Sequence, residues 1–366
     1  MEIPFLKKLG LPKLAFLSRK PTSFVGIDIG ASSTKVLQLR YESERAVLES
    51  YGELRNEGYL KVGETRGMGL ARYSDADVAA LLKDLINEAN ITTKEAVFSV
   101  PATSSFLVTI PFPRITAKEI TNAIEFEARK YVPIPLAEVA LDWDILEPSE
   151  NRDIIEVLLV AIPLEIIEKF KRVSQLAGLT TRALEVETFS MVRALIGRDQ
   201  TPTALINLGH VATTLAIADK GKLVMSHNFN RGAKEFSRAL ERGLDITQDR
   251  AETILKDNGL SDKIEDQEIT SILSPIVESV FSEIARTLNM YNRRQERKIQ
   301  KINLTGGGSN LKGLVELGAS RFGLEVTRGN PFARVIAPAF LQMVFREIGP
   351  VFTVAMGLAL HEISHQ

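Results

Sequence analysis

The feature that most constrains the fold is a strand, turn and strand unit that occurs twice, about half the chain apart. In the first copy an apolar run ends at Asp28, and Gly30 opens a small polar turn before a second apolar run. Asn207 and Gly209 occupy the corresponding positions of the second copy. The shared positions are Asp28, Gly30 and Thr34 in one copy and Asn207, Gly209 and Thr213 in the other. Such an internal repeat predicts two similar α/β domains, with a ligand cleft between the two turns.

The first turn has the composition of a phosphate-binding hairpin. Its Gly- and Ser-rich tip exposes backbone N–H groups and hydroxyls without bulky side chains, which suits a polyphosphate. At the strand end, the Asp28 carboxylate can hold Mg²⁺ through its water shell, and Lys35 can neutralise a phosphate oxygen. The candidate ligands are Asp28, Gly30, Ser32, Ser33, Thr34 and Lys35. A lone hairpin of this kind is often only a structural turn, so the interpretation depends on the second copy.

A third turn, Gly306-Gly307-Gly308-Ser309, follows an apolar strand that begins near Lys301. The glycines allow a flat base or ribose to approach the backbone closely, and the N-terminus of a following helix favours a phosphate. The alternative is a tight strand-to-helix connection without a ligand. The sequence contains neither G-x-x-x-x-G-K-[S/T] nor G-x-G-x-x-G, which disfavours the P-loop and the dinucleotide-binding fold.

Two turns of the form Asp/Asn-x-Gly-x-x-x-Thr, with the later Gly-Gly-Gly-Ser turn, resemble the nucleotide site of the actin, sugar kinase and heat-shock chaperone superfamily. Within it, residues 125–135 and the following Leu141-Asp142-Trp143 are similar to the PilM family of type IV pilus assembly proteins, which is related to the division protein FtsA. Residues 351–360 resemble the helix that returns to the first domain in this family. The resemblance runs from Phe24 to Leu360. It implies a two-domain actin-like ATPase fold with an FtsA/PilM-type extra subdomain, and it implies ATP and Mg²⁺ as cofactors.

The resemblance and the apolar periodicity together predict the organisation of the chain. Apolar residues from Val78 to Ile86 recur with helical spacing, which predicts a helix near 75–90. In chain order, the predicted parts are a basic amphipathic N-terminal segment (1–23), a first actin-like domain (24–103, to which 180–200 and 335–366 return), an extra subdomain (104–179), and a second actin-like domain (201–334) with a helical insertion (232–300).

The helical insertion carries a further candidate for the nucleotide site. Residues 251–256 resemble the helix by which FtsA-like proteins touch the adenosine, which implies Glu252 and Lys256 as contacts. Lys256 follows Glu252 by four residues instead of the three found in relatives. An ordinary exposed ion pair is therefore the alternative for Lys256.

The residue types at the predicted site indicate weak catalysis. Asn207 stands where many relatives with active turnover have Asp, and an amide can orient water without contributing charge. Slow or negligible ATP hydrolysis is therefore expected. Glu185 and Glu187, in the connection between domains, are candidates to orient water, and Glu187 is the preferred one.

The resemblance also implies partners. These are the short cytoplasmic tail of PilN, the platform protein and the pilus motor ATPases, at the cytoplasmic face of the inner membrane and in twitching motility. The candidate groove residues for the tail are Phe106, Val108, Ile124 and Tyr131, with a place in the subdomain core as the alternative. Two other functions stay open: an FtsA-like filament protein and a small-molecule kinase, for which no obvious base follows Val100.

Composition and the chain ends limit these functions. The net charge of −1 gives no overall attraction to nucleic acid or to an anionic membrane, so any such contact must be local. The chain has no cysteine, which excludes disulfides and Cys-based zinc sites. No uninterrupted apolar run reaches the roughly 18 residues of a membrane span, so peripheral association through partners is expected.

The two ends of the chain carry further motifs. Segment 1–23 is either a basic amphipathic segment that binds an anionic membrane surface or a partner, or a mobile tail. His361-Glu362-Ile363-Ser364-His365 matches a zinc motif without a third ligand, so no metal site is predicted there.

Overall fold

Three β-sheets organise the described residues, which are 22–61, 69–146, 154–261 and 263–363 of this computed structural model. The contacts divide the chain into two units. The first unit is Met1–Ser190 with Val354–Gln366, and the second unit is Met191–Thr353. All but the last two residues of the predicted N-terminal segment 1–23 lie outside the described residues.

The first unit contains the first two sheets. Its elements are β1 (Ser23–Ile29), β2 (Ser33–Glu42), β3 (Arg45–Arg55), α1 (Asp75–Glu88), β4 (Glu95–Val100), β5 (Phe106–Pro113), α2 (Ala117–Ala128), β6 (Val139–Leu146), β7 (Ile154–Pro163), α3 (Leu164–Leu176), β8 (Thr180–Val186) and the start of α4 (Glu187–Leu195), whose residues from Met191 onward belong to the second unit. The main sheet has the order β3-β2-β1-β4-β8. The strands β1, β2 and β3 pair antiparallel, whereas β4 is parallel to both β1 and β8.

Helices α1 and α3 cover a face of this main sheet. The Ser74 hydroxyl caps α1 by accepting from the Asp77 N–H at 3.0 Å. The apolar positions at helical spacing, from Val78 to Leu85, are buried in the same core as Phe170 of α3. The periodicity therefore predicted α1 correctly. Helix α3 was assigned by sequence to the extra subdomain, but it packs with α1 in the core of the main sheet.

The extra subdomain is a three-stranded antiparallel sheet of order β5-β7-β6 with α2 on one face. A capping box between Thr116 and Glu119 begins α2. Strand β7 is buried on both faces because its side chains alternate: Leu159 faces the subdomain core with α2, whereas Val160 belongs to the core of the main sheet. A near-continuous apolar strand is the sequence expected for this double burial.

The second unit repeats the topology of the first main sheet. Its elements are β9 (Thr203–Leu208), β10 (Thr213–Asp219), β11 (Lys222–Phe229), α5 (Lys234–Leu244), α6 (Gln248–Asp257), α7 (Gln267–Arg294), β12 (Lys301–Thr305), α8 (Leu314–Phe322), β13 (Glu325–Arg328) and α9 (Gln342–Ile348). The order is β11-β10-β9-β12-β13, with the hairpin strands antiparallel and β12 parallel to its neighbours. Asn207 pairs with Thr214 as Asp28 pairs with Lys35. The predicted duplication is therefore real.

The last helix, α10 (Thr353–Ile363), lies in the first unit apart from its first residue. It packs so closely on β1 that a Cβ on Gly26 would lie 2.1 Å from the carbonyl oxygen of Ala355. The predicted return to the first domain at residue 335 is therefore too early. Residues up to Thr353 belong to the second unit, where Phe332 stacks on Phe345 with ring centroids 4.1 Å apart.

One stretch of the described residues, Ala339–Glu362, is long and apolar enough by length and composition to cross a membrane. It corresponds to α9, α10 and two 3₁₀ turns, and 67% of its most apolar window is buried inside the protein. Core helices pass the same test, and the charged pair Arg346 and Glu347 interrupts this stretch, so the finding is weak evidence for a span.

Candidate nucleotide site

A cavity of about 640 Å³ lies within the second unit. One wall comes from α6, and the opposite side comes from the turn that follows β12. The polar or glycine residues along it are Glu252, Lys256 and Asp257 from α6, Gly307, Gly308, Asn310 and Lys312 from the turn, and Arg328 and Glu347. The predicted contacts Glu252 and Lys256 therefore line the same cavity as the predicted glycine turn.

Gly306 and Gly307 have different roles in this turn. Gly306 has φ of +80°, and a Cβ there would lie 2.2 Å from Oδ1 of Asn207. Only glycine fits this backbone conformation without strain, and the close approach brings the end of β9 against the turn. A Cβ on Gly307 would meet nothing within 4 Å. Gly307 therefore presents bare backbone to the cavity.

Buried hydroxyls hold the glycine turn in place. The Ser309 hydroxyl donates to the carbonyl oxygen of Gly306 at 2.7 Å. The Thr305 hydroxyl lies 2.7 Å from the carbonyl oxygen of Pro350, which also accepts from the Gly306 N–H at 2.9 Å. Ser309 was predicted as a nucleotide ligand, but its side chain is buried and bonded within the turn.

The amide of Asn310 is a polar group that the cavity leaves unsatisfied. Its Oδ1 is buried and, within the part of the chain that the structure describes, accepts no hydrogen bond. An unpaired buried acceptor of this kind costs free energy. The open backbone at Gly307 leaves room in the cavity for a flat base.

The turn of the second hairpin is tied to the chain that leads into α5. Gly209 N–H donates to the carbonyl oxygen of Ala212 at 3.0 Å, and the carbonyl oxygen of Gly209 accepts from the Ala233 N–H at 2.9 Å. The buried Thr213 hydroxyl donates to the carbonyl oxygen of Arg231 at 2.7 Å. The sequence placed Thr213 among the nucleotide ligands, whereas its hydroxyl is bonded to backbone.

The turn of the first hairpin is organised by Asn56, which the sequence analysis missed. Its side-chain amide donates to the carbonyl oxygen of Gly30 at 2.9 Å, and its Oδ1 accepts from the Thr34 hydroxyl at 2.9 Å. The backbone N–H of Asn56 donates to the carbonyl oxygen of Ser32. A lone Asn after β3 carries no sequence signal, because its partners lie more than 20 positions away.

The charged candidates of this first turn also have protein partners. Asp28 accepts from the Ser99 hydroxyl at 2.7 Å, which orients the carboxylate at the strand end. The Ser33 hydroxyl donates to Glu53 at 2.6 Å, and Lys35 lies 3.8 Å from the same carboxylate. The Lys35 ammonium also donates to the carbonyl oxygen of Ser33 at 3.3 Å.

A model of the type IV pilus assembly protein PilM matches residues 26–363 of this chain. The chain belongs to the PilM family. A solved structure described as a PilM–PilN type IV pilus biogenesis complex is similar to it, with 25% identity and a TM-score of 0.78 over 93% of this chain and 98% of that one. The family match and this likeness support an ATP-binding protein of type IV pilus assembly.

Two further structures share the actin-like fold with this PilM-family chain. The ethanolamine utilization protein EutJ from Carboxydothermus hydrogenoformans has 16% identity and a TM-score of 0.55, covering 93% of this chain and 90% of its own. MreB5 of Spiroplasma citri, solved with AMPPNP, has 13% identity and a TM-score of 0.55, covering 95% and 98%. The predicted two-domain actin-like fold is therefore confirmed.

The acidic candidates between the two predicted domains of the PilM-family chain lie in the first unit. Oε1 of Glu187 accepts from the Ala102 N–H at 3.1 Å, and Oε2 of Glu185 accepts from the Ser190 hydroxyl at 2.7 Å. Both carboxylates therefore hold local structure around the start of α4. The predicted role of Glu187 in orienting water stays a prediction.

The four predicted groove residues of the extra subdomain differ in burial. Ile124 is only 3% exposed and lies in the subdomain core, so its side chain is not a surface contact. Phe106 and Val108 are half-buried against that core, and Tyr131 is exposed at the end of α2. Ile124 therefore belongs to the core of the extra subdomain, which was the alternative to a place in the groove.

No group of three or more His, Cys, Asp or Glu that could hold a metal ion occurs in the described ranges. At the C-terminal zinc-like motif, Nδ1 of His361 lies 3.2 Å from Glu362, and the second histidine, His365, lies outside those ranges. Asp28 alone would hold Mg²⁺ only through water, which fits the way this ion keeps its hydration shell.

Proposed function

We propose that this PilM-family protein binds ATP with Mg²⁺, and that the cavity of the second unit holds the base and the ribose. The observation that carries the proposal is the bare backbone of Gly307 opposite Glu252 and Lys256. A base can lie against that backbone because no side chain intervenes. The Glu252 carboxylate suits ribose hydroxyls as hydrogen-bond donors, and Lys256 suits an anionic group. The N–H groups of the turns and Lys35 suit the phosphates, and Asp28 suits hydrated Mg²⁺.

We further propose that hydrolysis is slow or negligible. Asn207 lies against Gly306, so its position is fixed by the glycine turn, but its amide is neutral. Phosphoryl transfer depends on electrostatic stabilisation of the transferring group, and one missing charge costs several kcal/mol of transition-state stabilisation. Bound ATP would then act as a ligand that favours one arrangement of the protein by its differential affinity for that arrangement.

The proposed partner is the cytoplasmic tail of PilN, bound at the extra subdomain. Within the described residues, β5 and β6 are the two edge strands of its sheet, and an extended peptide can pair with such an edge. Phe106 and Val108 lie on β5, and Tyr131 follows α2. By this contact the protein would link the membrane platform to the pilus motors at the cytoplasmic face of the inner membrane.

The nucleotide proposal is tested by calorimetric titration of the full chain with ATP and Mg²⁺. The expected result is binding by the wild type, at least tenfold weaker binding by Glu252→Ala, and unchanged binding by the control Glu325→Ala, which changes an exposed carboxylate outside the cavity lining. Absence of binding heat for the wild type, or equal affinities in all three proteins, would refute it.

The partner proposal is tested by titration with a peptide of the PilN tail. Tyr131→Ala is expected to weaken the complex, and Phe126→Ala is the matched control because it removes another exposed aromatic side chain from the same subdomain. No binding by the wild type at high micromolar peptide, or equal losses in both variants, would contradict the assigned surface.

A further inference from the structure

One end of the second unit carries concentrated positive charge. Three segments meet there: residues 197–200 after α4, the turn between β10 and β11 at 219–222, and residues 292–301 from the last turn of α7 to the start of β12. They contain eight Lys and Arg against three Asp and Glu, a net charge of +5 in a chain whose net charge is −1. The basic end, as this surface is named here, has the cations Arg198, Lys220, Lys222, Arg293, Arg294, Arg297, Lys298 and Lys301.

Specific contacts hold the three segments of the basic end together. Arg297 forms an ion pair with Asp219 at 2.9 Å and donates to the carbonyl oxygen of Gln200 at 2.7 Å, so it joins all three segments. A Cβ on Gly221 would lie 3.2 Å from the carbonyl oxygen of Gly197. Strand β12 starts at the basic end and leads into the glycine turn. The basic end therefore lies at the opposite end of this sheet from the candidate nucleotide site.

The basic end has more cations than its own acids neutralise. Asp219 pairs with Arg297, and Asp199 pairs with Lys301. Four of its cations make no ion pair within the ranges that the structure describes: Arg198, Lys222, Arg293 and Arg294. The guanidinium groups of Arg198, Arg293 and Arg294 belong to exposed residues, so they are open to a partner from solution.

Arg334 extends the basic end beside Arg198. Its guanidinium packs against Gly197, where a Cβ would lie 1.6 Å from Nη1 of Arg334. Partial burial and the positive charge of Arg198 lower the pKa of Arg334, which forms no ion pair with a described residue. Two neighbouring guanidinium groups without a counter-ion repel each other, and an anion bound beside them relieves that repulsion.

The composition of the basic end favours a protein as the anionic partner. Its three segments contain no aromatic residue to stack on an exposed base, and their one large apolar residue, Ile299, is buried and does not reach a bilayer. All the unpaired cations except Lys222 are arginines, whose planar fork binds a carboxylate through two hydrogen bonds. The exposed Met290 lies one turn before Arg293 and Arg294 on α7. Both Met and Arg are enriched in protein–protein interfaces.

We propose that the basic end binds an acidic segment of a protein partner, with its unpaired arginines joined to Asp and Glu carboxylates of that segment. Charge complementarity supports the proposal, because a local charge of +5 attracts such a segment, whereas the net charge of −1 gives no general attraction to anions. The contact is separate from the nucleotide cavity and from the surface proposed for the PilN tail, which lies in the first unit.

Fluorescence anisotropy of a labelled decaglutamate peptide, titrated with the full chain, tests this contact. The wild type is expected to bind at about 0.1 M salt and to lose most affinity at about 1 M, where the Debye length falls from about 10 Å to about 3 Å. Arg293→Gln with Arg294→Gln is expected to weaken binding about fivefold. The matched control is Arg238→Gln with Arg242→Gln, which removes two exposed positive charges from α5 of the same unit and is expected to change affinity less than about twofold. No binding by the wild type, or equal losses in the two double variants, would overturn the proposal.

Two further measurements identify the partner chemistry. Arg293→Lys with Arg294→Lys keeps the charge and removes the fork, so weaker binding of the peptide is expected, and wild-type affinity would contradict the arginine–carboxylate pairs. Phosphatidylglycerol vesicles and a DNA duplex are titrated at the same salt and are expected to bind more weakly than the peptide. Tighter binding of either one, lost in Arg293→Gln with Arg294→Gln, would overturn the proposal, since it identifies a membrane or a nucleic acid as the occupant.

Discussion

Gly306→Ala is expected to destabilise the second unit strongly. The native φ of +80° with ψ of 167° is a region that only glycine occupies without strain, and a residue held there costs about 1–3 kcal/mol. The new methyl group would also lie 2.2 Å from Oδ1 of Asn207 and 2.7 Å from the carbonyl oxygen of Leu208. Relief of such an overlap shifts the backbone and typically costs another 1–3 kcal/mol. The expected total is about 2–6 kcal/mol of unfolding free energy.

Gly307→Ala is the matched variant in the neighbouring position. Its φ lies outside the left-handed region and its Cβ would meet nothing within 4 Å, so the unfolding free energy is expected to change by less than about 0.5 kcal/mol. The methyl group would instead project into the cavity where the proposed base lies. Nucleotide affinity is therefore expected to fall at least tenfold, whereas stability is preserved.

The assay pairs urea unfolding, followed by circular dichroism, with calorimetric titration of ATP and Mg²⁺. Gly306→Ala is expected to shift the unfolding midpoint, and Gly307→Ala is expected to weaken the binding of ATP. An unfolding free energy of Gly306→Ala within about 0.5 kcal/mol of the wild type would refute the expected strain at Gly306. Wild-type affinity of Gly307→Ala for the nucleotide would refute the placement of the base at Gly307.

Three further predictions concern buried and charged contacts. Thr305→Val is expected to lower the free energy of unfolding, measured in urea, by about 1–3 kcal/mol, because the buried carbonyl oxygen of Pro350 would lose its hydroxyl partner. Thr327→Val, at an exposed position, is the control and is expected to lower it by less. The hydrogen bond from Lys301 lowers the pKa of Asp199 from 3.8 to about 2 in the folded protein. The ionised Asp199 carboxylate therefore stabilises the fold above about pH 4, and this stabilisation is lost as the pH falls toward 2. Asp199→Asn should therefore flatten the acid side of a plot of melting temperature against pH, and an unchanged slope would contradict this. Asn56→Ala is expected to lower stability and to weaken nucleotide binding, because it releases the carbonyl oxygen of Gly30 and the hydroxyl of Thr34.

Local patterns were enough to predict the elements that build the two main sheets. Apolar runs broken by small polar turns predicted both hairpins, and helical periodicity predicted α1. These signals are short-range: strand pairing across a tight turn and the burial of one helical face depend on residues that are close in sequence. Glu252 and Lys256 were placed by resemblance, and the structure brings both to the cavity beside Gly307.

Side-chain roles within the turns were not predictable in the same way. Thr34, Thr213 and Ser309 carry the same kind of hydroxyl as a phosphate ligand, yet each is buried and bonded to protein. The direction of a hydroxyl depends on which distant group comes within hydrogen-bond distance. For Thr34 that group is Asn56, which directly follows β3.

The amino-acid sequence by itself therefore determined that this protein has two related sheets, each with a small polar turn. The spacing of apolar residues and the residue types of a turn are local properties of a polypeptide. Only three-dimensional packing decided that α3 joins the main core, that residues 335–353 remain with the second unit, that Ile124 is buried, and that Phe340 and Met343 face outward. Each of these outcomes is a competition between surfaces distant in sequence, and the free energy of burying one against another exists only once both are folded.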